Sequence, residues 1–254
     1  MADTSSVRRG RVRIEPGAKR IRAYVRGTLI ADTSHPLYVW EGPAYPQYYF
    51  PVADVRFDLL APSANVTHSP SRGDARHFTI KVDDTERVDA AWQYAESPIE
   101  ELRDHVRFDW HAVDAWFEED EEVYVHPRSP YTRIDVLPSS RHVRVELDGV
   151  VLAESTRAQV LHETGLPPRW YLPKVDVRMD LLTPTDSATA CPYKGTAGYW
   201  SARVGDRVEK DLAWSYRTPL RESDRIAGLV CFYNERVDLI IDGERQERPN
   251  TKFA

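Results

Sequence analysis

Two short segments of the sequence carry a nucleophile-type side chain, a proline, a cation and a glycine in the same order. They are Ser69-Pro-Ser-Arg-Gly73 and Cys191-Pro-Tyr-Lys-Gly195. A turn of this composition can hold a positive charge in a fixed place, and its glycine permits close approach of a ligand or another backbone. We therefore predict that Arg72 and Lys194 bind a small anionic metabolite. A simple β-turn whose cation points to water is the alternative.

The cysteine of the later segment suggests a second hypothesis. A lysine near Cys191 would favour its thiolate, which is the nucleophilic form. Glu163, upstream in the same half of the chain, could serve with Cys191 and Lys194 in an enzyme that acts on small molecules. A lone cysteine is more often buried filler, and a third hypothesis is a structural or assembly protein without a ligand.

The pattern Asp-Val-Arg-x-Asp occurs at residues 54–58 and again at residues 176–180. In a strand, positions i, i+2 and i+4 lie on one face, which would place an arginine between two carboxylates. Such a row forms a structural ion-pair ladder or, alternatively, serves acid–base chemistry or a divalent metal. We predict a strand here, and Asp176 is included among the candidate ligand-binding residues.

Aromatic side chains lie on both sides of these segments, and those at residues 48–50 and 170–171 follow Glu41 and Glu163. With Glu41 and Glu163 they could wall a pocket for a flat ligand, although aromatics in small β domains often form the core. The candidates for this wall are Trp92, Tyr94, Tyr171, Trp200, Trp214 and Tyr216.

Metal and cofactor chemistry lacks a sequence signal. The histidines and acids between Asp109 and Arg128 do not have a tight ligand spacing. The glycine-rich nucleotide loops, the serine-hydrolase elbow and the zinc-protease motif do not occur in the sequence. We predict no metal and no cofactor.

Composition and charge limit the partners. The chain of 254 residues carries a formal charge of −6, which argues against a nucleic-acid binder. It has no apolar stretch long enough for a membrane helix and no apolar signal core, and its two cysteines form no C-x-x-C pair. We expect a cytoplasmic protein whose partner is a small molecule, not a nucleic acid or a membrane; the oligomeric state stays open.

The elements that position these residues occur twice. A shift of 122 positions superposes residues 51–60 on residues 173–182 with seven identities in ten. The same shift pairs Gly73 with Gly195 and Trp92 with Trp214. We therefore predict two tandem copies of one domain, at residues 10–132 and 133–254, without a flexible linker.

Within each copy the apolar residues alternate with a period of two, as in Val143-x-Val-x-Leu147, which is typical of strands. The Asp148-Gly149 pair that follows predicts a hairpin turn. Thr156-x-x-Gln159 is typical of a capping box and predicts a short helix through Leu161. The predicted fold is mainly β, with two small β-rich domains.

The segments Tyr171-Leu-Pro-x-x-Asp176, Cys191-Pro-Tyr-Lys-Gly195 and Ala213-Trp-x-Tyr216 resemble the bacterial and fungal family called domain of unknown function 427. The resemblance covers nearly the whole chain. It implies a compact β-sheet domain related to the β-tent folds, without their zinc-binding cysteine pairs, and it implies no settled activity. Nucleotidyltransferases carry a Gly-Ser turn followed by an Asp-x-Asp pair, and this sequence contains neither.

Overall fold

A computed structural model describes residues 12–251 of the chain. The chain divides into two compact units, Met1–Ser129 and Pro130–Ala254. Both units consist mainly of antiparallel strands, so the predicted mainly β fold with two similar tandem domains is confirmed.

The described part of the first unit forms two sheets. One has the strand order β1-β4-β5-β9-β8-β7-β6 and the other the order β11-β10-β2-β3. The strands are β1 (Arg13–Pro16), β2 (Ile21–Val25), β3 (Thr28–Thr33), β4 (Leu37–Trp40), β5 (Gln47–Pro51), β6 (Leu60–Ser69), β7 (Gly73–Val82), β8 (Thr85–Gln93), β9 (His105–Phe108), β10 (Ala115–Glu118) and β11 (Glu121–Glu122). Short 3-10 helices lie at Val52–Asp54, Phe57–Leu59, Glu100–Leu102 and Trp110–Ala112.

The second unit repeats this plan. Its sheets have the orders β12-β15-β16-β20-β19-β18-β17 and β14-β13-β21-β22. The strands are β12 (Ile134–Ser139), β13 (Val143–Leu147), β14 (Val150–Ser155), β15 (Ala158–Glu163), β16 (Arg169–Leu172), β17 (Leu182–Cys191), β18 (Gly195–Val204), β19 (Arg207–Tyr216), β20 (Val230–Phe232), β21 (Asp238–Ile241) and β22 (Glu244–Arg245). The 3-10 helices are Lys174–Asp176, Met179–Leu181 and Arg221–Ile226.

The large sheet of each unit buries apolar side chains on both faces. In β4, Tyr38 and Trp40 belong to an inner core shared with the small sheet, whereas Val39 between them belongs to a second cluster with Tyr49 and Tyr94. This division follows from the two-residue period of a strand. We call the face with the second cluster the outer face. The chemistry-bearing residues meet there.

The predicted hairpin turn is confirmed. Strands β13 and β14 are joined by Asp148 and Gly149, whose φ angles are +50° and +78°. Positive φ at both central residues is the geometry of a type I′ turn, which Asp-Gly favours.

The prediction of a strand over the two Asp-Val-Arg-x-Asp segments is wrong. Each segment forms two 3-10 turns, which in the first unit are Val52–Asp54 and Phe57–Leu59. From these turns Val55 and Phe57 pack against the inner core. The apolar side chains of the segment therefore contact the core although the segment is not a strand. The two carboxylates separate: Asp54 accepts from Thr33 Oγ1 at 2.6 Å, and Asp58 pairs with Arg56 on the surface.

The predicted helix from Thr156 through Leu161 is also wrong, because Ala158–Glu163 is strand β15. This strand lies between β12 and β16 and pairs with both. Its consecutive residues Val160 and Leu161 are buried on opposite faces of the sheet. Tertiary pairing therefore overrides the local capping pattern.

Candidate functional site

Each unit has a tight turn that holds one cation between two long strands. In the first unit β6 ends at Ser69 and β7 begins at Gly73, and the amide of Arg72 donates to the carbonyl oxygen of Ser69 at 3.2 Å. Gly73 has φ of +86°, and Gly195 in the second unit has φ of +92°. These are left-handed conformations that glycine adopts without strain. Each glycine therefore lets the chain reverse tightly next to the cation.

The cations of both turns face a carboxylate. Lys194 Nζ forms an ion pair with Glu163 Oε2, and both side chains are 11% exposed. Arg72 Nη2 lies 3.6 Å from Glu41 Oε2 in the first unit. Glu41 directly follows β4, and Glu163 is the last residue of the equivalent strand β15. The duplicated domain therefore keeps a cation–carboxylate pair at this position. Neither cation points simply to water.

A second cation joins the pair in the first unit. Arg107 Nη1 lies 2.6 Å from the same Glu41 Oε2, and the Tyr49 hydroxyl donates to Glu41 Oε1 at 2.6 Å. Burial, together with the charge of Glu41, raises the pKa of Tyr49 well above its usual range, so this hydroxyl remains a donor. Two guanidinium groups therefore share one carboxylate, which leaves one positive charge uncompensated within the cluster.

Aromatic rings flank both guanidinium groups. Arg107 lies over the ring of Trp92 at 4.5 Å, and Arg72 lies over the ring of Tyr94 at 5.3 Å. The Nε atoms of Arg72 and Arg107 are buried and have no hydrogen-bond partner among the described residues. Burial alone would lower the pKa of Arg72, but Glu41 and Tyr94 raise it above its usual value. Arg72 thus keeps its charge, and the Nε donor of each arginine is unused.

The second unit has a different residue at the position of Arg107. Arg107 pairs across the sheet with Tyr49 and Trp92, and Cys231 pairs with the equivalent Tyr171 and Trp214. Cys231 is fully buried, and burial raises its pKa to about 12. Its thiol stays protonated at neutral pH and supplies neither a cation nor a thiolate.

A cation does reach the outer face of the second unit from β16. Arg169 donates to both oxygens of Glu235 at 2.7 Å, and the Glu235 side chain is fully buried. Burial alone would raise the pKa of Glu235, but hydrogen bonds from Arg169 and Thr251 hold it below its usual value. With the Lys194 pair included, the charges of this face balance.

Most predicted site residues of the second unit lie on this face. Tyr171, Trp214 and Tyr216 belong to its apolar cluster, and Trp214 Nε1 donates to the Tyr171 hydroxyl at 3.1 Å. Burial, followed by the electrostatic influence of Cys191, raises the pKa of Tyr216. Cys191 itself is partly exposed. The structure therefore brings these four residues together with the Lys194 ion pair.

Two predicted site residues lie elsewhere. Asp176 accepts from Ser155 and from Arg157, each at 2.7 Å, and these hydrogen bonds lower its pKa. Trp200 follows the outer-face residue Tyr199 in β18, so its ring points to the inner core. Asp176 fixes a turn and Trp200, partly buried, packs against the inner core; neither joins the outer-face cluster.

Sequence reasoning missed Arg107, Arg169 and Glu235. Arg107 precedes Phe108, which matches Phe232 in the repeat, but Arg107 itself aligns with Cys231. A comparison between the copies selects shared residues and so passes over residues that differ between them. The available signal was the alternation in His105–Phe108, whose buried residues Val106 and Phe108 place Arg107 on the other face.

Within residues 12–251, no group of three His, Cys, Asp or Glu side chains is arranged to hold a metal ion. The helices described there are all too short to cross a membrane.

Comparison with known proteins places the chain in a family. The family described as domain of unknown function (DUF427) matches residues 13–119 and again residues 135–243. The chain matches none of the curated proteins. The two matched regions correspond to the two units and cover most of the sequence. The chain therefore belongs to the DUF427 family and contains two tandem copies of its domain.

Proposed function

We propose that the protein binds a small anionic molecule, such as a carboxylate or a phosphate, on the outer face of its first unit. The observation that carries this proposal is an excess of positive charge. Two guanidinium groups, those of Arg72 and Arg107, lie against the single carboxylate of Glu41. An anion would compensate the remaining positive charge. The half-buried setting strengthens that interaction, because the local dielectric constant is lower than in water.

The guanidinium groups themselves support the same ligand class. The side chains of Arg72 and Arg107 are 15% and 18% exposed, and charge-assisted hydrogen bonds from guanidinium groups to carboxylate or phosphate oxygens are among the stronger ones in proteins. Trp92 and Tyr94 already flank the guanidinium groups. They offer a surface on which a flat part of the ligand would rest.

The second unit is less suited to an anion at the equivalent place. Glu163 neutralises Lys194, and Glu235 neutralises Arg169. The same pairing weakens the enzyme hypothesis, since the ammonium group of Lys194 is engaged by Glu163 and is not left to activate Cys191. Catalysis by Cys191, Lys194 and Glu163 stays a prediction without a structural observation in its favour, as does a purely structural role.

Isothermal titration calorimetry with inorganic phosphate and benzoate tests this proposal. We expect saturable binding of at least one of the two anions, and Arg107→Gln should weaken it by about tenfold or more, as loss of a charged hydrogen bond does. Arg76→Gln is the matched control, because Arg76 lies in β7 of the same sheet and forms an exposed ion pair with Glu96. Absence of binding, or an equal loss in both variants, would overturn the proposal.

A further inference from the structure

The second unit contains a groove of about 460 Å³ at the edge of its large sheet. Val160, Trp170, Leu239 and Ile241 form part of its lining. All four of these residues are at least nine-tenths buried. Arg141 and Gln246 also line the groove. This site is separate from the outer-face cluster and shares no residue with it.

The internal repeat shows what fills the same place in the first unit. Trp116 in β10 lies opposite Ala23, and Leu239 in β21 lies opposite Val145. Ala23 and Val145 are equivalent under the 122-residue shift. Trp116 and Leu239 therefore occupy the same position, and the second unit has a leucine where the first has an indole.

The second unit also lacks the indole that lies next to Trp116 in the first unit. Phe108 and Phe232 pair with equivalent residues of the neighbouring strand, and two positions later the first unit has Trp110 and the second has Asn234. The rings of Trp110 and Trp116 are stacked, with centroids 4.7 Å apart and planes within 2°. The groove of the second unit thus lies where the first unit holds two stacked aromatic rings.

The side chains around the groove also include fewer aromatic rings than their counterparts in the first unit. Tyr38 of the first unit corresponds to Val160, which again removes a ring, whereas the aromatic Tyr48 corresponds to Trp170. In the first unit the ring of Tyr48 lies 6.1 Å from that of Trp116. The second unit therefore keeps an aromatic wall, formed by Trp170, but lacks the rings that pack against this wall in the first unit.

The charges at the rim do not select an anion. Arg141 Nε lies 2.6 Å from Asp242 Oδ2, and the Arg141 guanidinium is 5.8 Å from the ring centre of Trp170. The first unit buries Glu118 where the second has Ile241, so the groove has exchanged a charged group for an apolar one. His162 and Glu247 also line the groove, so its rim includes a carboxylate and does not favour an anion. The apolar part of the lining matches an uncharged ligand.

We propose that this groove binds a planar, uncharged aromatic molecule, whose rings take the place that the indoles of Trp110 and Trp116 occupy in the first unit. The ligand would pack against Trp170 and over Leu239. The amide nitrogens of Asn234 and Gln246 already donate to backbone carbonyls, so their side-chain oxygens would be the acceptors at the rim. Ligand pockets typically combine an apolar lining with a few polar groups in this manner.

Calorimetric titration of the full chain with indole and with 2-naphthol tests this proposal. We expect saturable binding of one molecule per chain. Asn234→Trp restores the indole of the first unit and should weaken binding by about tenfold or more, because the added ring occupies the ligand's space. Val208→Trp, on an exposed residue away from the groove, is the matched control and should leave binding unchanged.

Val160→Tyr, which restores Tyr38 of the first unit, serves as a second test if Asn234→Trp does not fold. The proposal is overturned if the unaltered chain binds neither probe. It is also overturned if a folded groove-filling variant binds as well as Val208→Trp. The probes are uncharged, so this result is independent of the anion titration of the first unit.

Discussion

A single residue distinguishes the outer faces of the two units most clearly. Arg107 and Cys231 occupy equivalent positions, each opposite a tyrosine and a tryptophan of the neighbouring strands. The arginine leaves an uncompensated charge beside Glu41, whereas the buried thiol of Cys231 carries no charge. The proposed anion site of the first unit therefore depends on a residue that has no counterpart in the second.

Glu235→Gln should destabilise the second unit, by about 3–5 kcal/mol, since it leaves the buried Arg169 without its counter-charge. The pKa of Glu235 is lowered in the folded protein. Its ion pair therefore contributes fully above the ordinary carboxyl pKa of about 4.5, and the contribution is lost as the pH falls through the folded-state pKa.

Denaturant unfolding followed at pH 7 and at pH 3.5 measures this effect. The difference in unfolding free energy between the unaltered chain and Glu235→Gln should be large at pH 7 and smaller at pH 3.5. Asp180→Asn is the control, because Asp180 forms an exposed pair with Arg178 and exposed pairs contribute little. A difference that does not depend on pH would contradict the assigned pairing.

At the scale of the element, strands and turns were more predictable than the side chains that meet on them. The two-residue period of Val143–Leu147 and the Asp148-Gly149 turn gave a correct hairpin because both are local signals. The 3-10 turn at Lys174–Asp176 was missed, since it depends on where the chain leaves the sheet after Pro173. Trp200 was misplaced because the strand's register decides which face a ring occupies.

For the candidate site, the sequence indicated which residues to consider but not which of them are in contact. Arg72, Lys194 and Glu163 were found because the repeat keeps a cation after Pro-x and an acid at the end of the equivalent strand. That these cations face the carboxylates was not predictable, because the residues are 31 positions apart in each copy and meet only through sheet pairing.

The turn glycines give a prediction at this scale. Gly195→Ala should cost about 1–2 kcal/mol of unfolding free energy, because φ of +92° is unfavourable for a residue with a Cβ atom. The added Cβ would also lie 3.4 Å from the Thr218 carbonyl oxygen. Gly198→Ala in the same strand is the control, as that position has no neighbouring atom within 4 Å and no positive φ. Equal unfolding free energies for the two variants would contradict this account of the turn.

Over the whole molecule, the two copies share one architecture but differ at two sites, the charged cluster of the outer face and the groove of the second unit. The first unit has an excess of positive charge on its outer face, and Trp110 and Trp116 fill the place that is equivalent to the groove. The second unit pairs its outer-face charges and has the open groove. A duplicated domain can diverge in this way because its fold depends on the shared strand pattern, while each site depends on a few substituted side chains.

This division predicts two ligands that bind independently. The two proposed sites have no residue in common, so the chain should bind one anion and one uncharged aromatic molecule, each with the same affinity whether or not the other is present. Arg107→Gln should weaken only phosphate or benzoate, and Asn234→Trp should weaken only indole or 2-naphthol. Each bound ligand should also raise the thermal midpoint, by an increment that its own variant removes.

Titration of each ligand in the presence of a saturating amount of the other measures this independence. The control is Arg76→Gln combined with Val208→Trp, which should keep both affinities. If one variant removes both ligands, the two classes of molecule share a single site and the assignment to separate units is wrong. If a bound anion changes the affinity for the aromatic probe, the ratio of the two affinities gives the coupling free energy between the sites, and the sites are not independent.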